Sequence, residues 1–247
     1  MRTERTEAVE AITVDLDGTV LQYERSPGAV LEAAFERTGV GPLFSVDEYY
    51  ARYDEFAAQS DSMDELRSDC FAALAAENGY ARQHGRDVAA AFSGERDQSN
   101  VELLPGAARV LDELSREYRL AVVTNGARDA QRRKIDAVDL ERWVNAVVVA
   151  GHDAPPKPDP EPFERAVRAL DATPATPATT VHVGDSLETD VAGAAAAGLE
   201  SVRLSDRAET GGYEPTYRIE SIGELRDLPR LSDAGGYSES DTGTETQ

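Results

Sequence analysis

The sequence predicts an α/β fold, in which a doubly wound parallel sheet with helices on both faces carries an inserted α-helical domain. Beyond residue 101, short apolar runs typical of buried strands alternate with segments typical of helices. Strands separated by helices in this way pair in parallel. From about residue 27 to residue 92, apolar residues instead recur at three- and four-residue intervals, which is the helical period. This second pattern predicts the helical insertion.

The individual elements follow from the same patterns. The first strand is predicted in AITVDLDGT, residues 11–19, where an apolar run ends in Asp and Gly. Pro105 is expected to begin a helix that runs through Leu114, because proline is favoured in the first helical turn. The later elements, in chain order, are a strand in RLAVVTNG, a helix from Arg128 to about Val138, a strand in NAVVVA, a helix near Pro160–Leu170, a strand in TTVHVGD, a helix in DVAGAAAAG, a strand in SVRLS, and a weak strand with a short helix in YRIESIGELRDL.

These assignments divide the chain into three parts. Residues 1–20 and 102–231 are predicted to form a Rossmann-like core, and residues 21–101 a helical domain inserted after the first strand. Residues 232–247 are polar, glycine-rich and acidic, a composition typical of a disordered tail.

The composition excludes several classes of partner. The chain has 47 acidic against 25 basic residues, a net charge of −22, which repels nucleic acid and anionic lipid. No apolar run approaches the ~18 residues that a membrane span requires, and the charged N-terminus does not resemble a signal peptide. A single cysteine, Cys70, excludes an internal disulfide and a thiolate metal cluster. We therefore expect a cytoplasmic protein that binds neither nucleic acid nor membrane.

The basic residues are unusual as well. Only Lys134 and Lys157 are lysines, and all the others are arginines. An acid-rich, lysine-poor composition fits a protein that works in a high-salt cytoplasm, where salt screens the repulsion between like charges. We therefore hypothesise that the protein is halophilic.

Polar residues follow several of the predicted strands. In open α/β sheets, ligands bind beyond the carboxyl ends of the strands, so these residues are expected to meet at one edge. They are Asp15 and Asp17 after the first strand, Thr124, Asn125 and Gly126 after RLAVV, Asp185 after TTVHVG, Asp190 five residues further, and Lys157 in the loop PKPDP.

Such a cluster constrains the chemistry. Several carboxylates within a few ångströms repel one another unless a cation lies between them. Oxygen ligands without His or Cys suit Mg²⁺, which leaves coordination positions open for a substrate phosphate. A nucleophile, a metal and donors for phosphate oxygens are what phosphoryl transfer requires. Taken singly, each of these sequences is also an ordinary turn or helix cap, and only their coincidence at several strand ends favours catalysis.

The motifs DLDGT, TNG, KPDP and GDSLETD, in this order, resemble those of the haloacid dehalogenase superfamily in its phosphatase branch. The resemblance spans roughly residues 11–205, and the insertion is placed like the first-type cap of that family. Each motif alone is modest, whereas all four at these spacings are specific. The resemblance implies a Mg²⁺-dependent phosphatase acting on a small phosphorylated metabolite, such as a sugar phosphate, phosphoglycolate or a nucleoside monophosphate. We expect a monomer or a homodimer.

The resemblance also implies a role for each acid of the motifs. Asp15 would be the nucleophile that becomes the aspartyl phosphate. Asp17 would protonate the leaving oxygen and then activate water, while its main-chain carbonyl binds Mg²⁺. Asp185 would complete the metal site with Asp15. Asp190 would steady Lys157 or a metal-bound water.

The remaining motif residues would bind the substrate phosphate. Thr124, Asn125 and Gly126 would hold the transferring phosphoryl group, and Lys157 would neutralise charge on the phosphate and on Asp15. Asp17 distinguishes this chain from the dehalogenases of the superfamily, which have no acid at that position. The insertion contains no lysine, which disfavours the phosphonate-cleaving branch.

Two other functions and one structural question stay open at this stage. A phosphomutase would keep the same core residues and return the phosphoryl group to the product. A binding protein that keeps the enzyme fold without its activity would have lost some of the acids, all of which are present here. The arginines of the insertion, Arg25, Arg37, Arg52 and Arg67, could either meet an anionic group of the substrate or pair with neighbouring acids.

Overall fold

The computed structural model describes residues 8–57, 59–60, 62–170, 175–205 and 212–232, without the side chains of Asp54 and Ala57. The chain divides into two compact units, one made of Met1–Gln22 and Glu102–Gln247 and the other of Tyr23–Val101. Apart from Ser232, the tail predicted at residues 232–247 lies outside the described residues.

Within the described residues, the strands and helices alternate over most of the first unit. The strands are β1 (Ala11–Val14), β2 (Leu21–Tyr23), β3 (Val101–Leu103), β4 (Arg119–Asn125), β5 (Ala146–Ala150), β6 (Thr180–Gly184), β7 (Glu200–Leu204) and β8 (Tyr217–Ile219). The helices are α1 (Pro27–Thr38), α2 (Val46–Ala57), α3 (Met63–Glu77), α4 (Arg82–Glu95), α5 (Ala107–Glu117), α6 (Arg128–Ala137), α7 (Glu161–Ala169), α8 (Ala192–Ala196) and α9 (Pro229–Ser232). Short turns of 3₁₀ helix lie at Leu140–Arg142, Pro177–Thr179 and Ile222–Asp227, and a π-helical turn at Leu187–Val191 precedes α8.

Six of these strands form one parallel sheet in the order β5-β4-β1-β6-β7-β8. In its centre, Ile12 of β1 pairs with Leu120 of β4 on one side and with Val181 of β6 on the other. The chain runs outward from β1 through β4 to β5 and then returns to β6 on the opposite side of β1. The order therefore reverses at β1, which is where open α/β sheets bind their ligands.

Both faces of the sheet are covered, as a parallel sheet requires. On one face, Ala121 and Val123 pack with Phe163 of α7 and Ala194 of α8. On the other face, Ile12 is fully buried. The central strands are therefore buried on both faces and mostly apolar, which is why the sequence pattern identified them.

The unit Tyr23–Val101 has its own hydrophobic core. Phe71 of α3 lies at the centre and makes ring contacts with Phe44, Tyr49 and Phe92. Helices α3 and α4 approach closely at Gly85, where a Cβ atom would lie 2.2 Å from the carbonyl oxygen of Phe71. Only glycine fits this contact, so the helix pair depends on the absence of a side chain there.

The predicted fold class is confirmed, with differences at the ends of elements. The first strand ends at Val14 rather than within residues 15–19, because the backbone after Val14 folds into a tight turn. The helix predicted from Pro105 begins at Ala107, after Gly106 in a left-handed conformation. The strands β2 and β3, which pair as a two-stranded sheet, were not predicted because three residues carry too little periodicity. No helix in the described ranges is long and apolar enough to span a membrane.

Candidate active site

The loop after β1 places Asp15 and Asp17 at the carboxyl edge of the sheet. The amide of Asp15 still donates to the carbonyl of Val183 in β6, at 2.8 Å, so Asp15 begins the loop in register with the sheet. The loop then closes through a hydrogen bond from the amide of Gly18 to the carbonyl of Leu21. Gly18 has a φ of +77°, and a Cβ atom there would lie 2.5 Å from Oδ2 of Asp185. A larger residue would push the loop away from Asp185.

The ammonium group of Lys157 lies at the centre of the site. Its three hydrogens match three acceptors, which are Oδ1 of Asp15 at 2.6 Å, Oδ1 of Asp190 at 2.6 Å and the carbonyl of Val123 at 2.9 Å. The side chain is only 2% exposed. Lys157 is therefore a buried cation shared by two buried acids and the end of β4.

The charges of this group are strongly coupled. Burial raises the pKa of Asp15, the charge of Lys157 opposes that rise, and the nearby charge of Asp190 adds to it, so the pKa lies well above its ordinary value. Burial by itself would lower the pKa of Lys157, but the charges of Asp15 and Asp190 outweigh it, and its pKa is raised. Lys157 is thus a permanent cation, while Asp15 is an acid whose ionised form needs further positive charge.

Asp190 is held by several donors at once. Burial alone would raise its pKa, but the hydrogen bond from His182 and the charge of Lys157 lower it. Oδ2 accepts the amide hydrogen of Ser186 at 3.1 Å. Gly184 leaves room for this carboxylate, because a Cβ atom there would lie 2.3 Å from Cγ of Asp190. With both oxygens engaged, Asp190 is suited to orient Lys157.

His182 lies in β6 and is fully buried. Burial lowers its pKa, so the ring is neutral. Nε2 lies 3.2 Å from Oδ1 of Asp190 and Nδ1 lies 2.9 Å from Oγ1 of Thr13. A neutral ring satisfies both contacts if Nε2 carries the hydrogen and Thr13 donates to Nδ1. The histidine thereby holds Oδ1 of Asp190, the oxygen that also binds Lys157.

Asp185 lies at the mouth of this group. Asp15, Asp185 and Asp190 each offer an oxygen within 4.8 Å of the others. Reduced contact with solvent and the nearby charge of Asp190 raise the pKa of Asp185 to about 6. Since the three hydrogens of Lys157 go to Asp15, Asp190 and a carbonyl, Asp185 adds negative charge that this ammonium does not bind. A divalent cation between Asp15 and Asp185 fits this excess of charge, and carboxylate oxygens suit Mg²⁺.

The residues at the end of β4 contact the neighbouring loop and strand. Thr124 is buried at the edge of the sheet. Both polar atoms of the Asn125 side chain bind the main chain of Lys157, because Nδ2 donates to its carbonyl at 3.2 Å and Oδ1 accepts its amide hydrogen at 2.8 Å. The amide of Gly126 donates to the carbonyl of Ala150 in β5. In this structure Asn125 therefore holds the Lys157 loop, and the phosphate contacts of Thr124, Asn125 and Gly126 stay predictions.

Two residues that the sequence analysis did not assign to the site also lie at this edge. Lys134 of α6 is 5% exposed, and its ammonium lies 2.8 and 2.7 Å from the two carboxylate oxygens of Asp17. Gln131, one turn earlier, donates to Oδ2 of Asp17 at 3.1 Å. Two polar residues three positions apart on a helix are typical of a solvent-facing side. For this reason the sequence pattern did not identify Lys134 and Gln131 as site residues. The one signal was that Lys134 is one of only two lysines in the chain.

The arginines of the second unit are paired with acids of the same unit. Arg25 and Arg37 both bind Glu95, and Arg52 binds Glu55 and Glu77. Arg67 lies 3.8 Å from Asp64. Of the two interpretations of these arginines, the structure favours pairing with neighbouring acids.

Comparison with known proteins agrees with this geometry. Residues 9–198 match the family model described as haloacid dehalogenase-like hydrolase. The N-acylneuraminate-9-phosphatase of Mus musculus is 37% identical over 120 residues, which are 47% of this chain and 47% of that enzyme. The phosphoserine phosphatase of Thermus thermophilus is 29% identical over 251 residues, covering 89% of this chain and 98% of that enzyme. The first of these relatives thus matches over about half of its length.

A solved structure gives the same fold. The HAD-hydrolase YfnB of Bacillus subtilis superposes with a TM-score of 0.71, at 22% identity, over 90% of this chain and 98% of that one. Because the family model covers most of the chain, the protein belongs to the haloacid dehalogenase-like hydrolases. The expected superfamily is confirmed.

Proposed function

We propose that this protein is a Mg²⁺-dependent phosphatase that hydrolyses a small-molecule phosphate monoester through an aspartyl phosphate on Asp15. The observation that carries the proposal is the buried contact between Asp15 and Lys157, at 2.6 Å, with Asp185 close by. The names of the relatives, N-acylneuraminate-9-phosphatase and phosphoserine phosphatase, support phosphate monoesters as the substrate class.

Asp15 is suited to be the nucleophile. It lies where the strand order reverses, and Lys157 binds Oδ1, which leaves Oδ2 as the oxygen for attack on phosphorus. Asp15 and Asp185, with the main-chain carbonyl of Asp17, would hold Mg²⁺, which when bound offsets negative charge on the transferring phosphoryl group. Lys157 places a fixed positive charge beside the same group and keeps Asp15 oriented.

Asp17 is the acid and base of the proposed reaction. When Asp15 forms its bond to phosphorus, the ester bond breaks and Asp17 gives its proton to the leaving oxygen. In the second step a water molecule attacks phosphorus, Asp17 takes a proton from that water, and the bond between phosphorus and Asp15 breaks. Free phosphate leaves, and Asp15 returns to its carboxylate form.

The helical unit Tyr23–Val101 is proposed to be the cap that selects the leaving group. A cap of this kind excludes water while the phosphoryl group moves and contacts the part of the substrate that differs between metabolites.

Phosphate release tests the proposal. We expect the protein to release phosphate from p-nitrophenyl phosphate and from some members of a panel of sugar phosphates, phosphoglycolate and nucleoside monophosphates. EDTA is expected to abolish the release and added Mg²⁺ to restore it. No Mg²⁺-dependent release from any of them would contradict a phosphatase. An isomerised sugar phosphate without free phosphate would instead identify a mutase.

We also propose that the protein is adapted to high salt, because of its net charge of −22. The thermal unfolding midpoint is expected to rise by on the order of 10 °C between about 0.1 M and 2 M KCl, as charge repulsion is screened. Sucrose at equal osmolality is the control, because it favours compact states without screening charge. An equal rise in sucrose and in KCl, or none in KCl, would exclude the adaptation.

A further inference from the structure

Asp17 is anchored on helix α6 by two buried side chains. The ammonium of Lys134 contacts both of its carboxylate oxygens, at 2.8 and 2.7 Å, and the amide of Gln131 contacts Oδ2 at 3.1 Å. The Asp17 side chain itself is 38% exposed, whereas that of Lys134 is 6% exposed. Two buried side chains thus bind an acid that is partly exposed to solvent.

Gln131 also ties this anchor to the end of β4. Its Nε2 lies 2.6 Å from the carbonyl oxygen of Asn125 and 3.3 Å from Oγ1 of Thr124. Three acceptors around one amide nitrogen fix which way the side-chain amide points. Gly126 makes room for it, because a Cβ atom there would lie 2.7 Å from Nε2 and the backbone φ is +139°.

The lysine usage of the chain points to the same contact. Of 247 residues only Lys134 and Lys157 are lysines, and their ammonium groups bind Asp17 and Asp15, the two acids of the loop after β1. A buried ammonium is costly where an apolar residue would pack as well. An arginine would present a wide planar fork instead of a compact charge. Each lysine therefore occupies a place where a compact cation meets an acid of this loop.

We propose that Lys134 and Gln131 are positioning residues for Asp17, which hold its carboxylate in the one place from which it serves both proton transfers. This inference rests on the proposed phosphatase reaction. Both residues act through Asp17, whose carboxylate oxygens they contact. They act by restricting a partly exposed aspartate that could otherwise turn toward solvent, and a misplaced acid or base slows only the steps that move a proton.

The leaving group separates this role from a structural one. Phenyl phosphate releases a more basic oxygen than p-nitrophenyl phosphate, so its first step depends more on the proton from Asp17. In the Lys134→Met variant, kcat/KM for phenyl phosphate is expected to fall by about 10²-fold. For p-nitrophenyl phosphate, kcat/KM is expected to fall by only about tenfold. KM for phenyl phosphate should change little, because its first step limits turnover. Because Asp17 also activates water, p-nitrophenol should appear in a burst of about one equivalent per active site.

Three further variants complete the experiment. Arg133→Met removes a cation from the exposed side of the same helix and should keep the wild-type leaving-group dependence. Asp17→Asn removes the acid itself, together with its ion pair to Lys134, and should show the same leaving-group dependence as Lys134→Met. Thermal unfolding checks whether Lys134→Met folds. If it does not, Gln131→Leu tests the same anchor, because this change leaves no charge without a partner.

The possible outcomes are distinct. A wild-type protein without Mg²⁺-dependent phosphate release ends both the proposed function and this inference. An active wild type, with Lys134→Met and Gln131→Leu either unchanged or slowed equally on both substrates and without a burst, ends the inference alone. A loss that is larger for phenyl phosphate in either variant, absent in Arg133→Met, supports the anchor.

Discussion

The Asp15→Asn variant is expected to fold normally and to lose at least about 10⁴-fold of the wild-type kcat. An asparagine amide has the shape of the carboxylate but cannot form the acyl phosphate. It can still accept the hydrogen bond from Lys157, so the local packing is kept. Because Asp15 is a buried acid with a raised pKa, its replacement by a neutral group should not lower the stability of the metal-free protein.

The measurement is phosphate release in Mg²⁺, with thermal unfolding beside it. Asp129→Asn, an exposed acid in the first turn of α6, is the matched control and should keep wild-type turnover. Activity of Asp15→Asn close to that of the control would remove Asp15 from the chemistry.

The Lys157→Met variant is expected to lose both activity and stability. Without the ammonium, Asp15 and Asp190 face each other with no cation between them. Breaking a buried ion pair by removing one partner costs about 3–5 kcal/mol of unfolding free energy. The fixed positive charge beside the phosphoryl group is lost as well, which should lower kcat by about 10³-fold.

A double variant separates these two effects. In Lys157→Met/Asp190→Asn the second change removes one of the stranded charges, so chemical denaturation should show part of the stability regained. Turnover should not return, because the cation is still missing. Wild-type turnover in Lys157→Met, or turnover that recovers along with stability in the double variant, would show that Lys157 has no part in the reaction.

The fold could be predicted well because a parallel sheet buried on both faces has a simple signature. Its central strands are short apolar runs such as Leu120–Val123, and helices separate them. The first and last residues of strands and helices could be predicted less well than the elements themselves, because these positions depend on local turns. The strand β1 ends at Val14 because Gly18, with its positive φ, closes the next turn, and a strand pattern does not include such a turn.

The candidate site could be predicted where its residues follow strands. Asp15, Asp185 and Asp190 meet because parallel strands carry their carboxyl ends to one edge. Lys134 and Gln131 could not be found in this way, because they lie on a helix and reach the site only through side-chain hydrogen bonds to Asp17 and to the end of β4. The contact of the Asn125 side chain with the Lys157 loop could not be read from the sequence either, because it depends on how that loop returns to the end of β4.

The central claim is that the carboxylate of Asp15 takes the phosphoryl group, and trapping that intermediate tests it most directly. The protein is mixed with p-nitrophenyl phosphate and Mg²⁺, stopped in acid, and reduced with borohydride, which converts an aspartyl phosphate to homoserine. Peptide mass spectrometry is expected to find homoserine at position 15 in the wild type and none in Asp15→Asn. Homoserine at another aspartate, or steady turnover with no modified residue at all, would contradict the account.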